Sequence, residues 1–380
     1  MSECAHLGIH VGCRLNSYPM SIVAITTYCF VALYVLTIGA FAIGWLRQKP
    51  FLPKTPMKPP VSLVVCCKNE AENLPRLLAS VAAQTHPAFE VVFANDHSTD
   101  QTAKILDEFC QNHPFATYFS TEKTGKKNAL REAVERTRHA IVVCTDADCT
   151  LQPTHLQTIA AYFDAENPDL LLGGVRIETQ KSLFAQLQAL EFASLIASTA
   201  GACALRMPIM CNGANLAFKK SVFIELSGQL CDREISGDDQ FLLFAAKRAR
   251  CRIRFLKAAD TVVTTQPQAT LGKFLRQRGR WTSKGKSYTD PQTIAAACIV
   301  FATSVLIFAD FIGIFFNRDF IVPFAIAFAT KFMADSAILS VFLPFLSQKR
   351  LIVHTALLSA LYPIYVIFAV FAGLFRKKRW

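Results

Sequence analysis

The segment Ser21–Leu46 runs for 26 residues without a charged side chain. As a helix it is long enough to cross a bilayer core of about 30 Å. Three more apolar runs follow, at Thr293–Phe316, Phe320–Leu346 and Leu351–Phe375. Between the first run and these three lies a mostly polar stretch, residues 55–268, of ordinary globular character. This placement constrains the fold more than any single motif does, because it holds a water-facing domain between membrane anchors. A chain of 380 residues has room for one or two domains, and its mean hydropathy of +0.31 suits that mixture.

Ser21–Leu46 is too long for the apolar core of a signal peptide. It has only Arg14 as a strong cation before it and no clean small-residue cleavage site after it. An anchor is the expected role. Its C-terminal flank carries Arg47, Lys49, Lys54 and Lys58, which by the positive-inside rule puts the central domain in the cytoplasm. The chain reads as an integral membrane protein, of the inner or plasma membrane if bacterial. Its thirteen cysteines show no CxxC spacing, so reduced, buried thiols are expected.

The net charge of +12 is concentrated at 247–257, 273–286 and 376–379, and two of these clusters border apolar runs. Anionic headgroups and a phosphate-bearing substrate explain that placement; a nucleic-acid partner is not expected. One count is awkward. Three C-terminal crossings from a cytoplasmic domain would leave RKKRW outside, against the charge rule. Either that rule fails here or one run does not cross. Phe320–Leu346 contains Lys331 and Asp335, four apart and able to pair on one helix face, and Leu351–Phe375 is broken by Pro363. The apolar stretch Leu183–Leu205 is interrupted by Gln186, Gln188 and Glu191, which suits a packed helix better than a crossing; Glu191 is read as a solvated side chain.

The expected divisions are a tail (1–20), a transmembrane helix (21–46), a linker (47–60), an α/β domain (61–268), an amphipathic interfacial helix (269–288) and a membrane region (293–375, with helices near 293–316, 320–346 and 351–375). Within the domain, apolar runs alternate with helix-like stretches: VSLVVCC (61–67), FEVVFAN (89–95), ATYFS, AIVVCTDAD (140–148) and LLLGGVRI (170–177). Near-continuous apolar strands separated by helices imply a parallel sheet buried on both faces. Such sheets bind ligands beyond the C-terminal ends of their strands. There the chain places Lys68-Asn69-Glu70, Asn95-Asp96-His97-Ser98 and Thr145-Asp146-Ala147-Asp148. No Gly-x-Gly-x-x-Gly follows the first strand and no Walker motif is present, which weakens dinucleotide and P-loop readings.

Asp146 and Asp148, one residue apart at a strand end, can offer hard oxygen ligands to Mg²⁺ or Mn²⁺ and leave positions for phosphate oxygens. Alone, such a pair more often marks a turn or a helix cap. A second acidic site, Ser236-Gly237-Asp238-Asp239, reads as a helix N-terminus, where acids suit the dipole. An acid there can also serve as a general base.

NDHSTD (95–100), GKKNAL (125–130), DAD (146–148), NGANLAF (212–218), GDDQFLL (237–243) and QRGRW (277–281), in this order, resemble the membrane-bound glycosyltransferases of family 2, with the GT-A fold. The resemblance covers roughly 60–285. GDDQFLL is most similar to hyaluronan and chitin synthases. QRGRW fits the Q-x-x-R-W signature those enzymes share with cellulose synthases and ceramide glucosyltransferases. The resemblance implies a UDP-sugar donor, a Mn²⁺ or Mg²⁺ cofactor and a lipid or saccharide acceptor. It places Asp96, with Asn69 and Glu70 beside it, at the nucleoside. Lys126 falls near the donor, with Lys127 as second choice, Asp146 on the nucleotide and Asp148 on the cation. Asp239 is implied as the catalytic base with Asp238 at the acceptor, while Gln277, Arg280 and Trp281 close over diphosphate and acceptor.

On a helix, Leu271, Phe274, Leu275 and Trp281 share about a third of the circumference and Lys273, Arg276 and Arg280 lie opposite, so the basic stretch also reads as an interfacial helix. The expected reaction is inverting transfer of one sugar to a lipid hydroxyl, since four apolar runs are few for a polymer channel. Processive polysaccharide synthesis is the alternative, favoured by GDDQFLL. A non-enzymatic scaffold with a nucleotide-binding fold is the reading from another class, opposed by the presence of every expected acid.

Overall fold

The computed structural model describes residues 22–53, 59–229 and 237–374. The N-terminal tail, Lys54 and Lys58 of the linker, Ser236 and the C-terminal RKKRW lie outside them. The chain opens with helix α1 (Ile22–Arg47), and the domain then follows as alternating strand and helix: β1 (Val61–Cys67), α2 (Leu74–Ala82), β2 (Phe89–Asn95), α3 (Thr102–Asn112), β3 (Ala116–Ser120), α4 (Lys126–Arg136), β4 (Ile141–Asp146) and α5 (His155–Glu166). β1 to β4 are mutually parallel in the order β3-β2-β1-β4. Every residue of β1 except Cys66 is buried, which is why it reads as an unbroken apolar run. The order reverses direction at β1, and beyond the strand ends such a switch opens a crevice between β1 and β4.

LLLGGVRI, expected as one strand, is two. β5 (Leu170–Leu172) joins the main sheet and β6 (Val175–Ile177) a second one. The break falls at Gly173-Gly174. A Cβ on Gly173 would lie 2.2 Å from the Asn215 side chain, whose amide donates to the carbonyls of Gly174 and Thr261 at 2.8 Å each. Two glycines thus let the chain step between sheets around an inserted carboxamide.

After β6 come α6 (Leu183–Ala204), β7 (Leu216–Lys219), α7 (Lys220–Ser227), α8 (Asp238–Arg248), β8 (Ile253–Phe255) and β9 (Val263–Thr265). β7 runs antiparallel between β4 and β5, β8 flanks β5, and β6 pairs with β9. The sheet is therefore mostly, not wholly, parallel. The chain ends with α9 (Leu271–Thr282), α10 (Pro291–Gly313), α11 (Ile321–Phe342) and α12 (Thr355–Leu374).

Five helical segments among the described residues are long and apolar enough to cross a membrane: α1, α6, α10, and α11 and α12 with their short leading turns. α6 differs from the other four, with 72% of its apolar window buried inside the protein, in keeping with the expected packed helix. It crosses α1 closely: a Cβ on Gly201 would lie 2.2 Å from the Phe41 carbonyl oxygen. Lys331 and Asp335 pair at 2.5 Å, and Tyr34 of α1 donates to the same carboxylate, so α1 and α11 are joined. α12 touches the domain side at both ends: His354, just before it, contacts Gln186 of α6, while the carbonyls of Ala369 and Leu374 accept from Thr282 and Lys286.

Candidate active site

Four elements converge where the sheet changes direction. β4 delivers Asp146 at its last residue, and the turn behind it delivers Asp148. α4 begins at Lys126, whose Nζ lies 2.5 Å from Asp146. α8 begins at Asp238 and Asp239, and α9 carries Gln277, Arg280 and Trp281. All eight side chains line one cavity of about 280 Å³, to which Gln188, Phe192, Leu195 and Ile196 of α6 also contribute. Eight of the eleven expected site residues are thus brought together, from positions 126 to 281.

Asn69, Glu70 and Asp96 lie outside that lining, in the adjoining loops after β1 and β2. Asn69 adopts φ 55°, and its side-chain Oδ1 accepts from the Thr99 backbone N–H at 2.8 Å, which ties the two loops. Asp96 is buried and accepts from the Gly125 N–H at 3.0 Å and from Lys68 at 3.4 Å. Gly125 has φ +108°, so only a glycine turns easily there to start α4 with Lys126 facing the cavity. Lys127, the second choice, is buried, with its ammonium 5.1 Å from the Phe241 ring centroid.

The electrostatics of the acids differ. Burial pushes Asp238 up to about 6, with Asp239 adding and Lys126 opposing. Its buried Oδ1 has no hydrogen-bond partner among the described residues. Asp239 is half-exposed, and its two oxygens accept from the Gly213 N–H at 3.0 Å and the Gln240 N–H at 2.8 Å. That keeps the carboxylate aimed and leaves lone pairs free for a hydroxyl proton. Burial and the neighbouring Asp146 charge raise Asp148, against hydrogen bonds from Cys149 and Thr265. Glu70 is raised mainly by burial, with both of those acids adding to it. Burial opposes the charge of Lys126, but Asp146 outweighs it and holds the ammonium above its ordinary value.

Two carboxylates one residue apart at a strand end, Asp146 and Asp148, fit a divalent cation. No group of three or more His, Cys, Asp or Glu that could hold a metal occurs among the described residues. The donor set therefore suits an ion whose remaining positions are filled by phosphate oxygens and water.

One expectation needs correction. Glu191 is not solvated: it is 3% exposed and paired at 2.5 Å with Arg278, itself 2% exposed. The exposed face of α9 does carry Lys273, Arg276 and Arg280, but Leu271 is exposed beside them, and the buried face packs on α12, where the carbonyl of Ala369 accepts from Thr282. Lys284 is a residue the motifs did not mark. It lines the cavity beside Gly237, and burial lowers its proton affinity, with Asp239 opposing. The ten described cysteines are free, as expected; Cys66, Cys144, Cys149 and Cys211 line the cavity.

The chain is similar to several known proteins. The glycosyl transferase family 2 model matches residues 62–226. The chain is 27% identical over 277 residues to a poly-beta-1,6-N-acetyl-D-glucosamine synthase of Staphylococcus epidermidis, covering 67% of this chain and 63% of that protein. It is 28% identical over 237 residues to a synthase of the same description from Staphylococcus aureus (strain COL), covering 59% and 54%. The chain thus spans 63% or less of the length of these curated relatives. A solved mannosyltransferase from Pyrobaculum calidifontis, in complex with GDP-Man and Mn²⁺, aligns with TM-score 0.61 at 18% identity, over 94% of this chain and 100% of that one. The likeness to the two synthases favours the polymer alternative over single transfer to a lipid, and the mannosyltransferase shows the fold alone. Residues 62–226 match the glycosyl transferase family 2 model within a domain of the GT-A fold, set among helices long and apolar enough to cross a membrane.

Proposed function

We propose that this protein transfers a sugar, with inversion, from a UDP-sugar to a hydroxyl of a saccharide acceptor at the cytoplasmic face of a membrane, extending a polysaccharide. The observation that carries this reading is the convergence of Asp146, Asp148, Asp239, Arg280 and Trp281 on one cavity. The likeness to poly-beta-1,6-N-acetyl-D-glucosamine synthases supports a saccharide acceptor and an N-acetylglucosamine donor.

Asp96, Asn69 and Glu70 hold the nucleoside, and Asp146 with Lys126 orients the diphosphate. A divalent cation, Mn²⁺ or Mg²⁺, held by Asp148 with Asp146 beside it, would supply charge neutralisation at the diphosphate. Asp239 takes the proton of the acceptor hydroxyl as that oxygen bonds to the anomeric carbon. The bond from that carbon to the diphosphate oxygen breaks, and UDP leaves with the electron pair. Arg280 and Lys284 stabilise the charge growing on it. Trp281 offers a flat apolar face to the acceptor sugar, with Asp238 and Gln277 at its hydroxyls.

A second reading, transfer to a lipid hydroxyl, is favoured by one feature: Phe192, Leu195 and Ile196 make the acceptor wall apolar. The test is UDP release by purified protein with Mn²⁺ or Mg²⁺ and a panel of UDP-sugars, with membrane lipid or a β-1,6-linked N-acetylglucosamine oligosaccharide. Release that lengthens the oligosaccharide supports the proposal. Release that needs lipid and yields a product one sugar heavier moves the acceptor to lipid. No release with any donor overturns the enzymatic reading.

A further inference from the structure

The buried pair Glu191–Arg278 joins three helices that the reaction scheme treats separately. Glu191 lies on α6 among residues that line the cavity; Arg278 lies inside QRGRW, between Gln277 and Trp281. The Arg278 Nη2 lies 2.5 Å from Glu191, and Nη1 donates to the Gln277 side-chain oxygen at 2.7 Å. The guanidinium face rests 4.1 Å from the Trp281 ring centroid and 4.7 Å from that of Phe274. From α12, the Tyr365 hydroxyl donates to the other Glu191 oxygen at 3.0 Å. Gln188, one turn before Glu191, exchanges two hydrogen bonds with the Gln268 backbone and so holds the approach to α9.

A buried ion pair of this kind contributes little net stability, because desolvation cancels much of the attraction; apolar residues of similar volume pack as well. An apolar pair could not do what the guanidinium does here. Its rigid fork grips Glu191 with one nitrogen and Gln277 with another while its face supports Trp281.

We propose that Glu191 and Arg278, with Tyr365, form a positioning unit that orients Gln277 and Trp281 at the acceptor side of the cavity and links that side to α12. Glu191 is 3% exposed and outside the cavity lining, and Arg278, which borders the cavity, is 2% exposed with its guanidinium turned to Glu191 and Gln277; the pair acts through Gln277 and Trp281. The proposal rests on the sugar-transfer reading above only for its kinetic consequence.

The test compares Glu191→Gln with the double variant Glu191→Leu/Arg278→Met. Glu191→Gln strands a buried cation and is expected to lower thermal stability; the double variant leaves no buried charge and is expected to regain it. With UDP-N-acetylglucosamine as donor and the β-1,6-linked oligosaccharide as acceptor, the refolded double variant should keep its donor KM. Its ratio of transfer to donor hydrolysis should fall roughly 10- to 100-fold, the usual effect of a small misplacement. Trp281 emission, isolated by subtracting a Trp281→Phe background, should shift in the double variant. A stable double variant with the wild-type ratio and unshifted emission would overturn the proposal and make the pair merely structural. If the wild-type protein shows no transfer, the functional reading fails. Trp281 emission then decides the positioning claim alone: a shift supports it and no shift overturns it.

Discussion

At the scale of single residues, the cavity separates two acids that stand side by side in sequence. Asp239 points its oxygens at backbone N–H groups and the cavity, whereas Asp238 is buried with one oxygen unpartnered. Asp239→Asn should reduce transfer by on the order of 10²- to 10⁴-fold while leaving UDP binding intact. Asp148→Ala should instead abolish the Mn²⁺ dependence of donor binding, read by calorimetry; equal loss of binding in both variants would overturn the assignment. Asp238 also makes stability depend on pH. Its folded value of about 6 stands above the usual 3.8, so the folded form binds this proton more tightly than the unfolded one. Stabilisation is complete below about pH 4 and is lost as pH rises through about 6, on the order of 2–3 kcal/mol for this group. The Tm difference between the ligand-free wild type and Asp238→Asn should therefore move against the wild type as pH rises from about 4 to about 7; a difference independent of pH would overturn this assignment. The same contrast shows what sequence reading missed. Arg278 is spaced four residues after Phe274 and three before Trp281, on the helix face taken as apolar. A cation there needs a buried partner, and Glu191, in an apolar stretch, is the acid that answers it. The motif drew attention to 277, 280 and 281 and away from the residue between them.

At the scale of elements, strand and helix positions were readable because β1, β2 and β4 are buried on both faces and therefore written in apolar residues. What the pattern could not show was the step at Gly173-Gly174, since an apolar run broken by two glycines reads the same whether it stays in one sheet or enters two. The reason lies 41 residues on, in the Asn215 side chain that fills the gap. Close approach of a similar kind joins α1 and α6. Gly201→Ala would put a methyl against the Phe41 carbonyl and should cost roughly 1–3 kcal/mol, by overpacking. Gly39→Ala, on α1 with nothing within 4 Å of its Cβ position, should leave Tm nearly unchanged. Thermal unfolding in detergent compares the two; equal effects would mean that the crossing tolerates separation.

At the scale of the whole molecule, the apolar runs raise the question of which side the chain ends on. α12 meets α6 near its start and the segment after α9 near its end, so both ends approach the domain. A reporter fused after Trp380 should accordingly respond as cytoplasmic, as should one inserted in the central domain; opposite responses would mean that α12 crosses. With a cytoplasmic C-terminus, the basic sequence RKKRW satisfies the positive-inside rule. The sequence by itself determined the anchors, the α/β domain between them and the identities of the acids at the strand ends, because burial and strand-end chemistry are local and leave their mark in residue type. Only the tertiary structure decided that Lys126, Asp148, Asp239 and Trp281 share one cavity, that Glu191 answers Arg278, and that LLLGGVRI divides. Each of those depends on residues far apart in the chain meeting in space, and no local pattern records which distant partner fills a gap or balances a charge.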